Sequence, residues 1–172
     1  MKLCLNIGYS GPKMAVPMER ILRAEALGFD TVWTSEAYGS DAITPLAYIG
    51  ALTKRIRVGT NIAQLAARTP ANLAMSAQTI DAMIGRGRMI LGIGVSGPQI
   101  VEGWYGQPWG KPNARLRDYL EITRKMAAMG IRGGMAAFVQ TLDVWANRMD
   151  IKEGWGPIES RDTPGNPHYP AI

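Results

Sequence analysis

The sequence has very few of the residues from which disulfide frameworks and zinc sites are built. Its 172 residues include one cysteine, Cys4, and one histidine, His168. A single cysteine cannot form a disulfide within the chain, and these two residues cannot supply the four ligands of a structural zinc site. We therefore expect no metal centre, and a reducing, cytoplasmic setting.

Long apolar runs are also missing. No stretch of the sequence reaches the roughly 18 apolar residues that a membrane-spanning helix needs, and the N-terminus lacks the apolar segment of a secretory signal peptide. The chain is 47% hydrophobic and 19% charged, which is an ordinary balance for a globular protein. The sequence therefore predicts no membrane partner.

The net charge of +5 raises the question of nucleic-acid binding. Basic residues stand just before two predicted strands: Lys54, Arg55 and Arg57 before one, and Arg86 and Arg88 before the other. In a fold of parallel strands these positions lie at the N-terminal strand ends, opposite the face where sites usually form. The favoured interpretation is a solvated rim, and no nucleic-acid partner is expected.

Four strand-then-helix units follow one another along the chain. Strands are predicted over Lys2–Tyr9, Phe29–Thr34, Ile56–Ile62 and Arg88–Val95. The helices that follow them begin at Pro17, Thr44-Pro45, Thr69-Pro70 and Pro112. Because strands alternate with helices, we expect parallel pairing through right-handed crossovers. The Val, Ile and Leu content of the strands predicts a sheet that is buried on both faces.

These four units fill residues 1–129, whereas a closed (β/α)8 barrel needs roughly 250 residues. We therefore predict an α/β fold of the TIM-barrel type, with about four parallel (βα) units that form a partial (β/α)8 barrel. Residues 130–172 are interpreted as a divergent tail, with one candidate helix at 135–149 and a final stretch rich in Pro and Gly.

The fourth predicted strand leads into a Gly-rich turn and then into a group of aromatic residues. Such a loop at the mouth of an α/β domain is a usual place for a small-molecule site. The glycines do not match a dinucleotide-binding fingerprint, because Pro98 interrupts the pattern. Trp104, Tyr105 and Trp109 could stack on a flat ring system or could anchor the loop, and the sequence leaves both interpretations open.

Three segments resemble the luciferase-like monooxygenase family, in its branch of oxidoreductases that depend on the deazaflavin coenzyme F-420. They are SEAYGSD at 35–41, QLAARTP at 64–70 and GVSGPQIVEGWYGQ at 94–107. The resemblance implies a TIM barrel, usually a homodimer, that binds F-420 at the C-terminal ends of its strands. It also implies hydride transfer between the deazaflavin and an organic small-molecule substrate.

The same resemblance implies a cofactor-binding set. Asn61 and Ile62 map onto a non-proline cis peptide that supports the cofactor ring in family members. Gly94, Ser96 and Gln99 lie on the loop after the fourth strand, which lines the other side of the cofactor.

The loop after the second strand carries the candidate catalytic residues. Ala37 stands where some family members have a proton-handling histidine, so the resemblance assigns proton handling or substrate orientation to Glu36 and Tyr38. On the residues alone, Glu36 could equally be a helix N-cap partner or a member of a surface salt bridge. Asp41 is interpreted as a helix-start residue.

The resemblance fades after about residue 126, and the family's phosphate-binding loops come from later strands. We therefore expect a truncated or fragmentary member. Two alternatives remain open. One is an FMN-dependent monooxygenase of the same superfamily. The other is a catalytically inactive half-barrel, whose unpaired sheet edges would favour self-association.

Overall fold

The computed structural model describes residues 2–129, apart from residue 12. The divergent tail expected over 130–172, its candidate helix at 135–149 and His168 lie outside the described residues.

Strands and helices alternate along the chain, as predicted. The strands are β1 (Cys4–Gly8), β2 (Thr31–Thr34), β3 (Arg57–Thr60), β4 (Ala63–Gln64), β5 (Met89–Ile90) and β6 (Ile93–Gly94). The helices are α1 (Met18–Ala26), α2 (Thr44–Leu52), α3 (Pro70–Ile84), α4 (Pro98–Val101) and α5 (Pro112–Met129). All strand pairs are parallel, in the order β1-β2-β3-β5 with a separate β4-β6 pair. The expected parallel topology is therefore confirmed.

The fourth predicted strand is divided in two, and the third ends at Thr60 and is followed by a separate short strand, β4, beyond its predicted end at Ile62. The break between β3 and β4 falls at Asn61-Ile62, whose peptide bond is cis, as the resemblance implied. The break between β5 and β6 falls at Leu91-Gly92. At Gly92 a side chain would collide with the carbonyl oxygen of Thr60, so the two strands approach too closely there for any other residue. The hydrophobic pattern does not reveal these breaks, because it continues across them.

The hydroxyl of Thr60 joins the two broken strands. Its Oγ1 accepts the Gly92 N–H at 2.9 Å and donates to the Gly92 carbonyl at 2.7 Å. The same carbonyl accepts the Ala63 N–H at 2.8 Å. Thr60 is fully buried. Its side chain supplies hydrogen bonds between the two strands where their backbone hydrogen bonding is interrupted.

We expect Thr60→Val to lower the free energy of unfolding by about 2 kcal/mol, because the partly buried Gly92 N–H then loses its partner. Urea denaturation followed by circular dichroism measures this change. Thr60→Ser is the control, since it keeps the hydroxyl and should retain more of the stability. An equal loss in both variants would show that the methyl group, and not the hydroxyl, matters.

The hydrophobic core lies between the helices and one face of the sheet. Strand residues Val32 and Val58 pair in register and have no exposed surface. The largest apolar side chains packed with them come from the helices and from the start of β3: Ile21, Leu46, Ile49, Ile56, Leu73, Ile80 and Tyr119.

The opposite face of the sheet is not covered by any described helix. Asn6, Trp33 and Gly59 pair in register on this face, with Asn6 exposed and Trp33 half-buried. Cys4, two residues before Asn6, is exposed as well. The expectation of a sheet buried on both faces is therefore wrong for the described residues. The physical reason is that the core-forming residues of the helices in these four units all cover the other side.

The start of α3 has the N-cap expected of a Thr-Pro pair, whereas the start of α2 is built differently. Thr69 is the N-cap of α3, and its side chain accepts the Asn72 N–H at 3.2 Å. At the other Thr-Pro pair, Thr44 is not the N-cap but the first residue of α2. The carboxylate of Asp41 accepts the N–H groups of Ile43 and Thr44, each at 2.8 Å. The interpretation of Asp41 as a helix-start residue is thus confirmed.

The basic residues at the other end of the strands have mixed roles. Lys54 and Arg55 are exposed, as a solvated rim requires. Arg88 is not part of such a rim, because its guanidinium donates to the carbonyls of Thr53, Ile56 and Ile84. It ties the start of β5 to the neighbouring unit.

Glu25 at the end of α1 binds the backbone before β3. Its Oε1 accepts the N–H groups of Lys54, Arg55 and Ile56 at 2.9, 2.6 and 2.9 Å. Burial raises the pKa of this carboxyl, but the three N–H groups and the charge of Arg88 outweigh it and hold the pKa below the usual value.

A carboxylate whose pKa is lower in the folded state stabilises the fold above its unfolded-state pKa, and this contribution is lost as the pH falls through the folded-state pKa. We therefore expect Glu25→Gln to lower the free energy of unfolding by about 1–2 kcal/mol at pH 7. The variant should also lose less stability than the parent between about pH 5 and pH 3. Urea denaturation across this range measures both effects. Glu19→Gln, an exposed carboxylate on the same helix, is the control. Parallel pH profiles for Glu25→Gln and the parent would refute the assignment.

Candidate functional site

Predicted site residues lie together at the C-terminal ends of the strands, and we call this end of the sheet the C-terminal edge. The Ser35 hydroxyl, just after β2, donates to the Asn61 carbonyl at 2.8 Å. The Glu36 carboxylate accepts the backbone N–H of Gln64 at 2.8 Å. The segment after β2 is therefore fastened to both sides of the break between β3 and β4.

Ile62 and Gly94 meet on one face of this edge. A Cβ at Gly94 would lie 2.9 Å from Cδ1 of Ile62, so the absence of a side chain at Gly94 lets the isoleucine pack against the backbone of β6. Gln64 pairs in register with Gly94. Since paired residues point to the same face and residues alternate along a strand, Ile62, Gln64 and Gly94 share that face.

An ion pair that the sequence analysis did not identify holds Glu36. The Arg68 guanidinium lies 2.7 Å from the Glu36 carboxylate, and their side chains are only 16% and 3% exposed. Arg68 also lies 3.3 Å from Asp41. Glu36 does form a salt bridge, but a buried one and not the surface pair that was considered. Arg68 belongs to the segment that carried the family resemblance, but nothing in the sequence pairs it with residues about 30 positions earlier.

Arg68 also connects the edge to α5. The Tyr119 hydroxyl donates to the Arg68 carbonyl at 2.9 Å, and Tyr119 is fully buried. Burial raises the pKa of Tyr119 well above its usual value. The phenol therefore stays protonated and remains a donor at any physiological pH.

Asp41 is the second carboxylate on Arg68. Burial raises its pKa, but hydrogen bonds from Thr44 and Ile43, together with the charge of Arg68, outweigh this and lower the pKa. Two carboxylates, Glu36 and Asp41, thus face one guanidinium.

Two aromatic rings stand beside the ionic cluster. Tyr38 and Trp104 form an edge-to-face pair, with ring centroids 5.5 Å apart and an angle of 89° between the planes. Both rings are about half exposed. This contact supports the loop-anchoring interpretation of Trp104 and leaves ring surface free on each residue. Burial, together with the nearby Glu36 carboxylate, raises the pKa of Tyr105.

Ser96 and Gln99 lie farther along the same loop. Ser96 has a positive φ of 59°, and Gln99 is in the short helix α4, which interrupts what the sequence suggested was a continuous loop. The Gln99 carboxamide packs over Gly97, where a Cβ would come within 2.5 Å of it. Both side chains are exposed, and among the described contacts none joins them to Glu36 or Ile62.

Removal of Arg68 should leave the buried Glu36 carboxylate without its ion-pair partner. We expect Arg68→Met to lower the free energy of unfolding by about 3–5 kcal/mol, because an uncompensated charge remains in a water-poor position. The double variant Glu36→Gln with Arg68→Met should recover part of this loss. Chemical denaturation measures all the variants. Lys125→Met, which breaks a partly exposed ion pair with Glu121 on α5, should cost less than about 1 kcal/mol. Additive effects of the two site substitutions would contradict the coupling.

Other site classes find no support in this part of the chain. Among residues 2–129 that the structure describes, no three His, Cys, Asp or Glu side chains are grouped so that they could hold a metal ion. None of the described helices has the length and apolar character needed to cross a membrane.

A parallel (βα) sheet with polar residues gathered at its C-terminal edge defines an α/β protein of the TIM-barrel class. The model of the luciferase-like monooxygenase family matches residues 7–144, and the chain belongs to that family. Its relatives include a protein of Mycobacterium tuberculosis named as a coenzyme F-420-dependent oxidoreductase. That protein is 55% identical over 129 residues, which are 74% of this chain and 37% of the relative.

Other relatives and solved structures agree on the fold. The F-420-dependent glucose-6-phosphate dehydrogenase of Amycolatopsis mediterranei is 32% identical over 142 residues, covering 71% of this chain and 41% of the relative. A monooxygenase structure from Streptomyces bottropensis superposes with a TM-score of 0.63 at 28% identity, covering 73% of this chain and 42% of that one.

The F-420-dependent tetrahydromethanopterin reductase of Methanopyrus kandleri has a TM-score of 0.62 at 20% identity, which shows the fold alone. It covers 72% of this chain and 39% of that one. The chain spans about two fifths of the length of these proteins. The expected partial barrel, and the family of oxidoreductases to which it was assigned, are confirmed.

Proposed function

We propose that this chain supplies the N-terminal part of an oxidoreductase that transfers hydride between coenzyme F-420 and a small organic substrate. The observation that carries this proposal is the edge where Ile62 and Gly94 meet beside a buried hydrogen-bond donor without a partner, Nε2 of Gln64. Relatives that bear the names of F-420-dependent enzymes support the same choice.

The residues at this edge fit a flat heterocycle with a polar rim. Ile62 offers an apolar side chain, which packs against the backbone at Gly94. Gln64 offers an amide donor that no described residue uses. An aromatic ring system with carbonyl groups on its periphery satisfies both side chains, because it supplies an apolar face and hydrogen-bond acceptors.

Within this proposal, Asn61, Ile62 and Gly94 lie on one side of the ring, because Ile62 packs against Gly94. The side chains of Ser96 and Gln99 are exposed and so are free to contact ring or substrate from the loop after β6. When bound, the deazaflavin supplies the carbon that gives or accepts the hydride. The chain's own residues orient the two partners and exclude water.

Glu36 and Tyr38 have different parts in the proposed site. Glu36 already receives hydrogen bonds from Arg68 and from the Gln64 backbone, so we assign it to positioning the strand ends and setting the local charge. The Tyr38 ring is about half exposed. Its hydroxyl is the group we assign to proton handling or substrate orientation.

FMN is the second candidate cofactor. The Streptomyces bottropensis protein that resembles this chain is a monooxygenase, and flavins share the apolar face and the polar rim that the edge fits. Binding of FMN is therefore measured alongside binding of F-420.

We further propose a cytoplasmic homodimer. The outer edge of β1 has no strand partner among the described residues, and the exposed face that carries Asn6 adjoins it. Self-association through such an edge is also what an inactive half-barrel would do. Cofactor binding distinguishes a working site from this alternative.

We expect the folded chain to bind F-420 saturably in a fluorescence titration, with FMN titrated in parallel. Ile62→Ala should weaken binding about tenfold, because it removes an apolar contact with the ring. Leu22→Ala, at an exposed position on α1, is the matched control and should bind as the parent does. Failure of a sample with normal circular dichroism to bind either cofactor would reject the oxidoreductase assignment for this chain and favour the inactive half-barrel.

A further inference from the structure

Gln64 carries an unused hydrogen-bond donor in a buried position. The residue is 1% exposed, and its Nε2 has no partner among the described residues. A buried amide without a partner destabilises a fold, because the group has left water and gained nothing in exchange. Such a group calls for an explanation in terms of what it meets when the protein is at work.

The orientation of the Gln64 side chain is set by its own strand. The Ala66 N–H lies 3.4 Å from Oε1 and faces that end of the carboxamide. The other end, Nε2, is therefore the free one. The backbone is held too, because the Gln64 N–H donates to Glu36. The donor is preorganised, so little conformational freedom remains to be lost when it binds a partner.

The sheet register places Gln64 on the proposed cofactor side. Ala63, its neighbour in β4, has no exposed surface and belongs to the helix-covered core. Gln64 points to the opposite face, in register with Gly94 and alternating with Ile62. The unused donor therefore shares a face with the contact between Ile62 and Gly94.

We propose that Nε2 of Gln64 donates a hydrogen bond to a carbonyl oxygen on the pyrimidinedione ring of the bound cofactor. This inference rests on the proposed function, and deepens it by naming the residue that recognises the polar rim. Deazaflavin and FMN share this ring, so the contact recognises the class of cofactor and does not select between the two.

The proposal predicts opposite effects on stability and on binding. Gln64→Met keeps an unbranched side chain of similar length and removes the unpaired amide. We expect the melting temperature of the cofactor-free chain to rise or stay unchanged, since a buried polar group without a partner disappears. We expect the dissociation constant for F-420 to increase about tenfold, since the bound ring loses its donor.

Two further variants complete the experiment. Gln64→Glu replaces the amide donor with a carboxylate oxygen and should weaken F-420 binding at least as much as Gln64→Met. Thr123→Val removes the second buried side-chain atom that lacks a partner within residues 2–129, the Thr123 hydroxyl on α5. It is the matched control, and it should affect stability in the same direction with no change in the dissociation constant.

Melting curves and fluorescence titrations of these variants distinguish the outcomes. An unchanged dissociation constant in Gln64→Met overturns the inference and leaves the proposed function standing. A fall in both melting temperature and affinity also overturns it, because Gln64 would then serve only the fold. If the folded parent binds neither F-420 nor FMN, both the inference and the proposed function are rejected.

Discussion

The buried ion pair between Glu36 and Arg68 is the interaction on which the C-terminal edge of the sheet depends. It joins the segment after β2 to the segment after β4, and the Tyr119 hydroxyl ties α5 to the carbonyl of the same arginine. Because both charged side chains are nearly out of solvent, each is costly without the other. The strand ends, and the loops that carry the aromatic rings, therefore take their positions from a contact between distant parts of the chain.

At the C-terminal edge the charged side chains have ion-pair partners, whereas the buried Gln64 amide has an unused hydrogen-bond donor. Glu36 and Asp41 share the guanidinium of Arg68, and Asp41 also accepts two backbone N–H groups at the start of α2. These contacts make the framework rigid. The Gln64 amide, held by that framework, keeps an open donor. A rigid surround with one open hydrogen-bonding group is the arrangement expected of a binding site, because unpaired polar groups are otherwise removed from protein interiors.

Much of the fold could be predicted from the sequence, but less of the candidate site could. Alternating strand and helix patterns gave the four units, and Thr69 marked the start of α3. The family resemblance located the cis peptide at Asn61-Ile62. The break at Gly92 was missed, since the apolar pattern runs through it. Arg68 and Gln64 were missed because their roles depend on partners 28 to 32 residues away, and no local pattern encodes such a pairing.

The sequence by itself determined the order of the elements, their parallel arrangement and the family, because hydrophobic period, helix-start residues and motif segments are local properties. Only the tertiary structure decided which face of the sheet is covered, how Thr60 joins the broken strands, and which charges meet at the C-terminal edge. Those outcomes depend on distances between residues far apart in the chain. A carboxylate such as Glu36 becomes a positioning residue only when folding brings Arg68 within 2.7 Å of it.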